Sequence, residues 1–195
     1  MSRKSDETRK KILQATWTLL ESGKSGAVRM SDIAKEAGIS RQALYLHYPN
    51  RADLLIAVTR YIDEAKAVDA QLAESRKAQG AARLDAYIAA WGGYIPEIYG
   101  VGRALMAMAD SDAEAREAWT DRMAAMRHGC AAAVAALEEA GLLAEGLEKT
   151  EATDLLWTLL SVRNWEQLRH GCGWTQAAYI AGMTRAARRM LMDQP

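Results

Sequence analysis

Apolar residues return every three or four positions along almost the whole chain, and no stretch alternates apolar with polar side chains for long enough to build a strand. The expected fold class is therefore all-α, with roughly nine helices. Glycines, prolines and capping residues divide them. The first helix runs from about Ser5 to Glu21, with Ile12, Leu13, Thr16, Trp17, Leu19 and Leu20 facing inward, and ends at Ser22-Gly23. A second, from about Ser31 to Ala37, stops at Gly38. A third starts from Ser40 as its N-cap and reaches about His47 before Pro49. Asn50 caps a fourth whose apolar face continues to about Gln79, so that this helix would belong to both parts of the molecule. Further helices are expected at about 81–91, 98–108, 112–140, 150–168 and 174–191, with breaks near Gly92-Gly93, Pro96 and Gly141 among others. No repeat of fixed period is present, which disfavours a solenoid.

Composition narrows the class further. Of 195 residues half are hydrophobic, 26% are charged and only 3 are Pro, which suits a packed core and excludes collagen-like or wholly disordered chains. Cys130 and Cys172 make neither a disulfide framework nor a CxxC pair, and the apolar run 129–137 is too short to span a membrane. The opening MSRKSDETRK has no apolar segment behind it, so the expectation is a soluble cytoplasmic protein without a signal peptide and without membrane attachment. The balanced net charge conceals an asymmetry. Residues 1–60 carry 11 Lys and Arg against 6 Asp and Glu, whereas the rest carries 14 against 19. A basic front fits contact with a polyanion, although a merely solvated basic surface fits the same count.

The segment SDIAKEAGISRQALYLH, Ser31 to His47, places two short helices on either side of a glycine-containing turn. Ala34, Ile39 and Leu44 can close a small triangular core, leaving the front of the second helix free to project, as a helix-turn-helix unit requires in the major groove. A generic helical hairpin would share the spacing. Arg41 and Gln42 at the start of that helix are types that hydrogen-bond to base edges, and Tyr45, His47, Tyr48 and Arg51 stand where side chains could meet flanking phosphates.

The run from Lys11 through Leu55 resembles the N-terminal DNA-binding domain of the TetR family of bacterial transcriptional regulators. The residues that carry this are Ile12 and Ala15, Ile33-Ala34, Ala37-Gly38-Ile39-Ser40, and Leu44-Tyr45-x-His47-Tyr48-x-Asn50-Arg51-x-x-Leu54. The resemblance implies a helix-turn-helix domain over 1–52 and a ligand-binding and dimerisation bundle over 53–195. It implies that Ser40 starts the recognition helix, that Arg41 and Gln42 read bases, and that Tyr45 and His47 contact phosphates. Arg51, where the family usually has Lys, would hold a phosphate together with the amides that open the fourth helix. Tyr48 would pack, its hydroxyl free for water or phosphate. Met30 departs from the family's usual Thr and can neither cap the second helix nor touch a phosphate, roles that Ser31 or Asp32 could take in part.

In the remainder, Trp and Met side chains suit either a core or a pocket for an apolar or aromatic molecule. The family's inducer site makes Trp91, Tyr94, Tyr99, Met106, Met123, Met126, His128 and Trp157 the candidate ligand residues, while Arg103, Arg127 and Arg163 leave room for an anionic group. Small residues Ala177, Ala178 and Ala181 beside Trp174, and the excess of Leu at 155–160, fit a homodimer through the last two long helices, as in the family. Two recognition helices about 34–36 Å apart would then read a roughly palindromic double-stranded operator, and a small-molecule inducer would release it. Repressor or activator is open, because that depends on where the operator lies. An enzyme is the main competitor of another class. The scattered His and Cys and the absence of paired-carboxylate, HExxH or phosphate-loop patterns call for no metal, no cofactor and no catalysis. A helical ligand-binding or interaction module without specific DNA binding is the other alternative.

Overall fold

The computed structural model describes residues 3–22 and 28–193. Every regular element among them is helical: α1 (Arg3–Glu21), α2 (Met30–Glu36), α3 (Arg41–His47), α4 (Arg51–Ala65), α5 (Val68–Lys77), α6 (Gly80–Ala109), α7 (Ala113–Glu139), α8 (Lys149–Leu159), α9 (Val162–Glu166) with a π turn over Gln167–Gly171, and α10 (Gln176–Leu191). Among these residues no helix is long and apolar enough to cross a membrane. Gly23, expected to end α1, lies outside the described residues. The helix itself stops at Glu21, and the Ser22 hydroxyl donates to the Leu19 carbonyl at 2.7 Å.

Contacts group the chain into two compact units, Met1–Lys66 with Ile98–Met123 and Ala67–Glu97 with Ala124–Pro195. In the first, Ile12, Leu20, Ile33, Leu44, Leu54, Leu55, Val58, Ile62 and Leu105 form one buried apolar cluster. Each such side chain contributes about 1.5–3 kcal/mol on burial, so this cluster is the main source of the unit's stability.

Three expectations about helix boundaries are corrected. The fourth helix does not continue to Gln79. It ends at Ala65, and Ala67 turns left-handed at φ 50° before α5 begins. The inward face of Leu54, Leu55, Val58 and Ile62 has no buried apolar successor in α5, whose sole buried residue is Ser75, so packing no longer holds one continuous rod. The two helices expected at 81–91 and 98–108 are a single helix, α6, running through Gly92, Gly93 and Pro96. Proline removes the N–H that would bond to the carbonyl four residues earlier. That carbonyl, on Gly92, instead accepts from Gln176 Nε2 at 2.6 Å. A Cβ at Gly92 would lie 2.9 Å from Ile180 Cγ1, so this glycine serves a close approach of α10 and breaks nothing. The segment 150–168 is in turn split at Leu160, where Ser161 caps α9 by accepting from the Asn164 amide at 3.3 Å.

In the second unit Tyr87 lies across α7. Its hydroxyl donates to the Met126 carbonyl at 3.0 Å and receives the Cys130 thiol at 3.7 Å. Burial pushes the Cys130 thiol up to about 12. Cys172, in contrast, is exposed.

Candidate nucleic-acid interface

The turn between α2 and α3 is built as its residues require. Gly38 takes φ 66°, and the Ile39 amide donates back to the Ala34 carbonyl at 3.0 Å. Ser40 then caps α3, its hydroxyl accepting from the Ala43 amide at 3.1 Å. Ala34 and Leu44 are buried and Ile39 is half-buried. With Leu44 pulled inward, helical geometry turns the opposite face outward, and Arg41, Gln42, Tyr45 and Leu46 are all exposed. At the head of α2, Arg29 offers no side-chain cap and Met30 is buried in the core cluster. Met30 thus trades a cap for apolar packing. Asp32 stands in the first turn, where its charge suits the helix dipole.

His47 is half-buried and lines a surface groove of about 530 Å³ together with Arg9, Tyr48, Asp53, Arg60 and Glu64. The Tyr48 hydroxyl is not free: it accepts from Arg9 Nε at 3.0 Å, with the guanidinium 5.4 Å from the ring centroid. Burial raises the Tyr48 pKa, and Arg9 opposes that by charge and hydrogen bond.

Asn50 caps α4, accepting from the Asp53 amide at 2.8 Å. Next to it Arg51, expected to hold a phosphate, is engaged by two carboxylates of the same chain. The Arg51 amide donates to Glu114 Oε1 at 3.3 Å, Nη1 to Glu114 Oε2 at 3.2 Å, and Nη2 to Asp112 Oδ2 at 2.5 Å. The Arg51 side chain is only 12% exposed. Asp112 also caps α7, its Oδ1 accepting from the amides of Glu114 and Ala115. Burial alone would raise its pKa, but the hydrogen bonds from Arg51 and the two amides, with the Arg51 charge, hold it below the ordinary 3.8.

A carboxyl group lowered on folding stabilises the protein above its unfolded-state pKa and loses that contribution as pH falls through the folded-state value. Asp112→Asn is expected to cost about 1–3 kcal/mol near pH 7. Urea unfolding across pH should show the gap between variant and parent closing below about pH 4.

The candidate ligand residues divide between the two units. Tyr99, Met106 and Met123 belong to the first unit, whereas Trp91, Tyr94, Met126, His128 and Trp157 belong to the second. Trp91 donates its indole N–H to the Leu160 carbonyl at 2.9 Å, Tyr94 is buried 6.1 Å from the Trp91 ring, and His128 is exposed. Within the first unit, a cavity of about 20 Å³ lies among Ile62, Val101, Leu105 and Trp119, bordered by the Asp63–Arg122 ion pair. Nothing in the sequence sets Trp119 apart from the other tryptophans. Asp63 and Arg122 gave no signal, since nothing local relates residues so far apart in the chain. Among the described residues no group of three His, Cys, Asp or Glu could hold a metal ion.

Comparison with known proteins bears on the same segment. Residues 12–58 match the model for "Bacterial regulatory proteins, tetR family". The nucleoid occlusion factor SlmA of Marinomonas sp. (strain MWYL1) is 35% identical over 65 residues, 33% of each chain, so the match spans about a third of that curated relative's length. Over the whole molecule the fold is that of a protein described as a TetR-family transcriptional regulator from Rhodococcus sp., with a TM-score of 0.74, 22% identity, and 96% of this chain and 100% of that one covered. NalD, the secondary repressor of the MexAB-OprM multidrug efflux pump in Pseudomonas aeruginosa, gives a TM-score of 0.69 at 19% identity, covering 98% and 99%. At these identities the two structures speak for the fold, and residues 12–58 speak for kinship. Residues 12–58, about a quarter of the chain, thus carry a likeness to the tetR family of bacterial regulatory proteins, and the solved structures extend the likeness of fold to the rest.

Proposed function

We propose that this chain is a cytoplasmic repressor that binds a palindromic double-stranded operator as a homodimer and leaves it when a small apolar or aromatic inducer binds. Residues 1–52 meet the DNA, and residues 53–195 provide the rest. The observation that carries the reading is α3 itself. A fully buried Leu44 and a Ser40 cap hold a seven-residue helix whose Arg41, Gln42 and Tyr45 are exposed. Such a helix presents hydrogen-bonding side chains at base-edge reach, with His47 beside it for the backbone.

The dimer is assigned to α8 and α10. Ala177, Ala178 and Ala181 are exposed along α10, and Leu155 and Leu159 line a groove with Met190. Apolar and small side chains left at a helical surface suit a bundle with a second copy. For the inducer, the cavity beside Trp119 has apolar walls and one charged border. Its volume admits about one water, so an inducer must open it, and release follows only if the opened form binds DNA less well.

The test is selection of duplex fragments from a random pool at about 0.15 M salt, where nonspecific phosphate binding is already weakened. Enrichment of one palindrome, weakened about tenfold or more by Arg41→Ala or Tyr45→Ala, is the expected result. Retention that no substitution in α3 alters would move the weight to an interaction module without specific DNA binding.

A further inference from the structure

Leu46 is the most exposed large apolar side chain among the described residues, at 82%, against 41% for Tyr45 and 39% for Leu142. It lies on α3, one turn after Gln42 and directly opposite the buried Leu44, so Gln42 and Leu46 share the outermost stripe of that helix. A leucine held in water forgoes the stabilisation that burial would bring. Nothing in its own unit covers it, although Leu44, two residues earlier, is wholly covered. Its neighbours are not those of a protein-docking patch. Gln42 shares its stripe and Arg41 and His47 lie on the same short helix, within a segment where Lys and Arg outnumber Asp and Glu by 11 to 6. An apolar group beside a hydrogen-bonding side chain, in a segment of positive balance, complements a polyanion that itself carries isolated apolar groups. Duplex DNA is such a surface. In the major groove thymine alone of the four bases offers a methyl group, and it lies beside the acceptors that Arg and Gln side chains read.

We infer that Leu46 is a specificity-determining residue that packs on a thymine C5-methyl group in each half-site, next to the base read by Gln42. This rests on the DNA-binding reading above and extends it to a residue that polar contact chemistry passes over. Burying one methyl-sized group against the leucine is worth about fourfold in affinity per half-site, and about fifteenfold when both half-sites contribute.

The experiment uses the full chain and the duplex it enriches from the random pool. Deoxyuridine replaces thymidine one position at a time, symmetrically in both half-sites, which removes a methyl group and leaves every hydrogen-bonding atom in place. Dissociation constants are measured for the parent and for Leu46→Ala, with thermal unfolding of both to confirm that the exposed truncation leaves the fold intact. The expected result is one symmetric thymine pair at which the parent loses about ten- to twentyfold while Leu46→Ala binds both duplexes alike. Equal binding of thymidine and deoxyuridine duplexes by the parent at every position overturns the inference and leaves the regulator reading standing. So does a methyl preference that Leu46→Ala retains. An unenriched pool overturns both, and capture of a protein through Leu46 would then be the rival account.

Discussion

Leu44→Ala is expected to lower stability by about 2–5 kcal/mol, read as a fall in the urea midpoint at unchanged slope, because a fully buried leucine is replaced by a methyl group and a cavity. Leu46→Ala, two residues on, should change stability by less than about 0.5 kcal/mol. Leu44 anchors α3 to Ile33, Ala34 and the α1–α4 cluster, so its loss undermines the helix proposed to read DNA. Both variants should weaken DNA binding, for opposite reasons. Leu44→Ala removes the support and Leu46→Ala removes a contact. A Leu44→Ala protein as stable as its parent would mean that α3 is held by something other than this core.

Gly129→Ala runs against helix propensity. Glycine inside α7 should cost about 1 kcal/mol relative to alanine, so on propensity alone the change stabilises. Yet a Cβ at Gly129 would stand 2.5 Å from the Tyr87 hydroxyl oxygen and 2.6 Å from Cε2. Tyr87 cannot swing aside cheaply. It is 5% exposed, and its hydroxyl is bonded to the Met126 carbonyl. Overpacking of this kind costs about 1–3 kcal/mol and forfeits that hydrogen bond, so a net loss of about 1–3 kcal/mol is expected. Pairing it with Tyr87→Phe separates the causes. The oxygen clash disappears in the double variant while the ring contact stays, so part of the loss should return. A Gly129→Ala protein more stable than its parent would refute the packing seen between Tyr87 and α7.

What could be read from the sequence was local. Ser40 and Asn50 announce caps because the bonds they make close within three residues, and the Ala34, Ile39 and Leu44 triangle closes within ten. Arg51 shows where that reading stops. Its residue type and its place at a helix N-terminus suggest a phosphate, whereas the groups found there are carboxylates from Asp112 and Glu114, more than sixty positions away, with nothing nearby to mark them. Pro96 misled for a similar reason. A proline inside an apolar helix ordinarily ends it, and only Gln176 on a distant helix makes use of the Gly92 carbonyl that it leaves free. Ala67 gives no sign at all of its left-handed turn. Side-chain type, as at Trp91, Met106 and Met123, describes what a residue can touch and not which side of its helix faces a cavity.

The contrast between the two sulfur atoms has a practical consequence. Cys130 is shut behind Tyr87 with its thiolate scarcely populated at neutral pH, while Cys172 stands in water. The native chain therefore comes with a single addressable handle. A maleimide dye or nitroxide goes onto one known position without prior mutagenesis, and the second equivalent of reagent is consumed only when the packing around Tyr87 opens, so that its uptake clocks local unfolding.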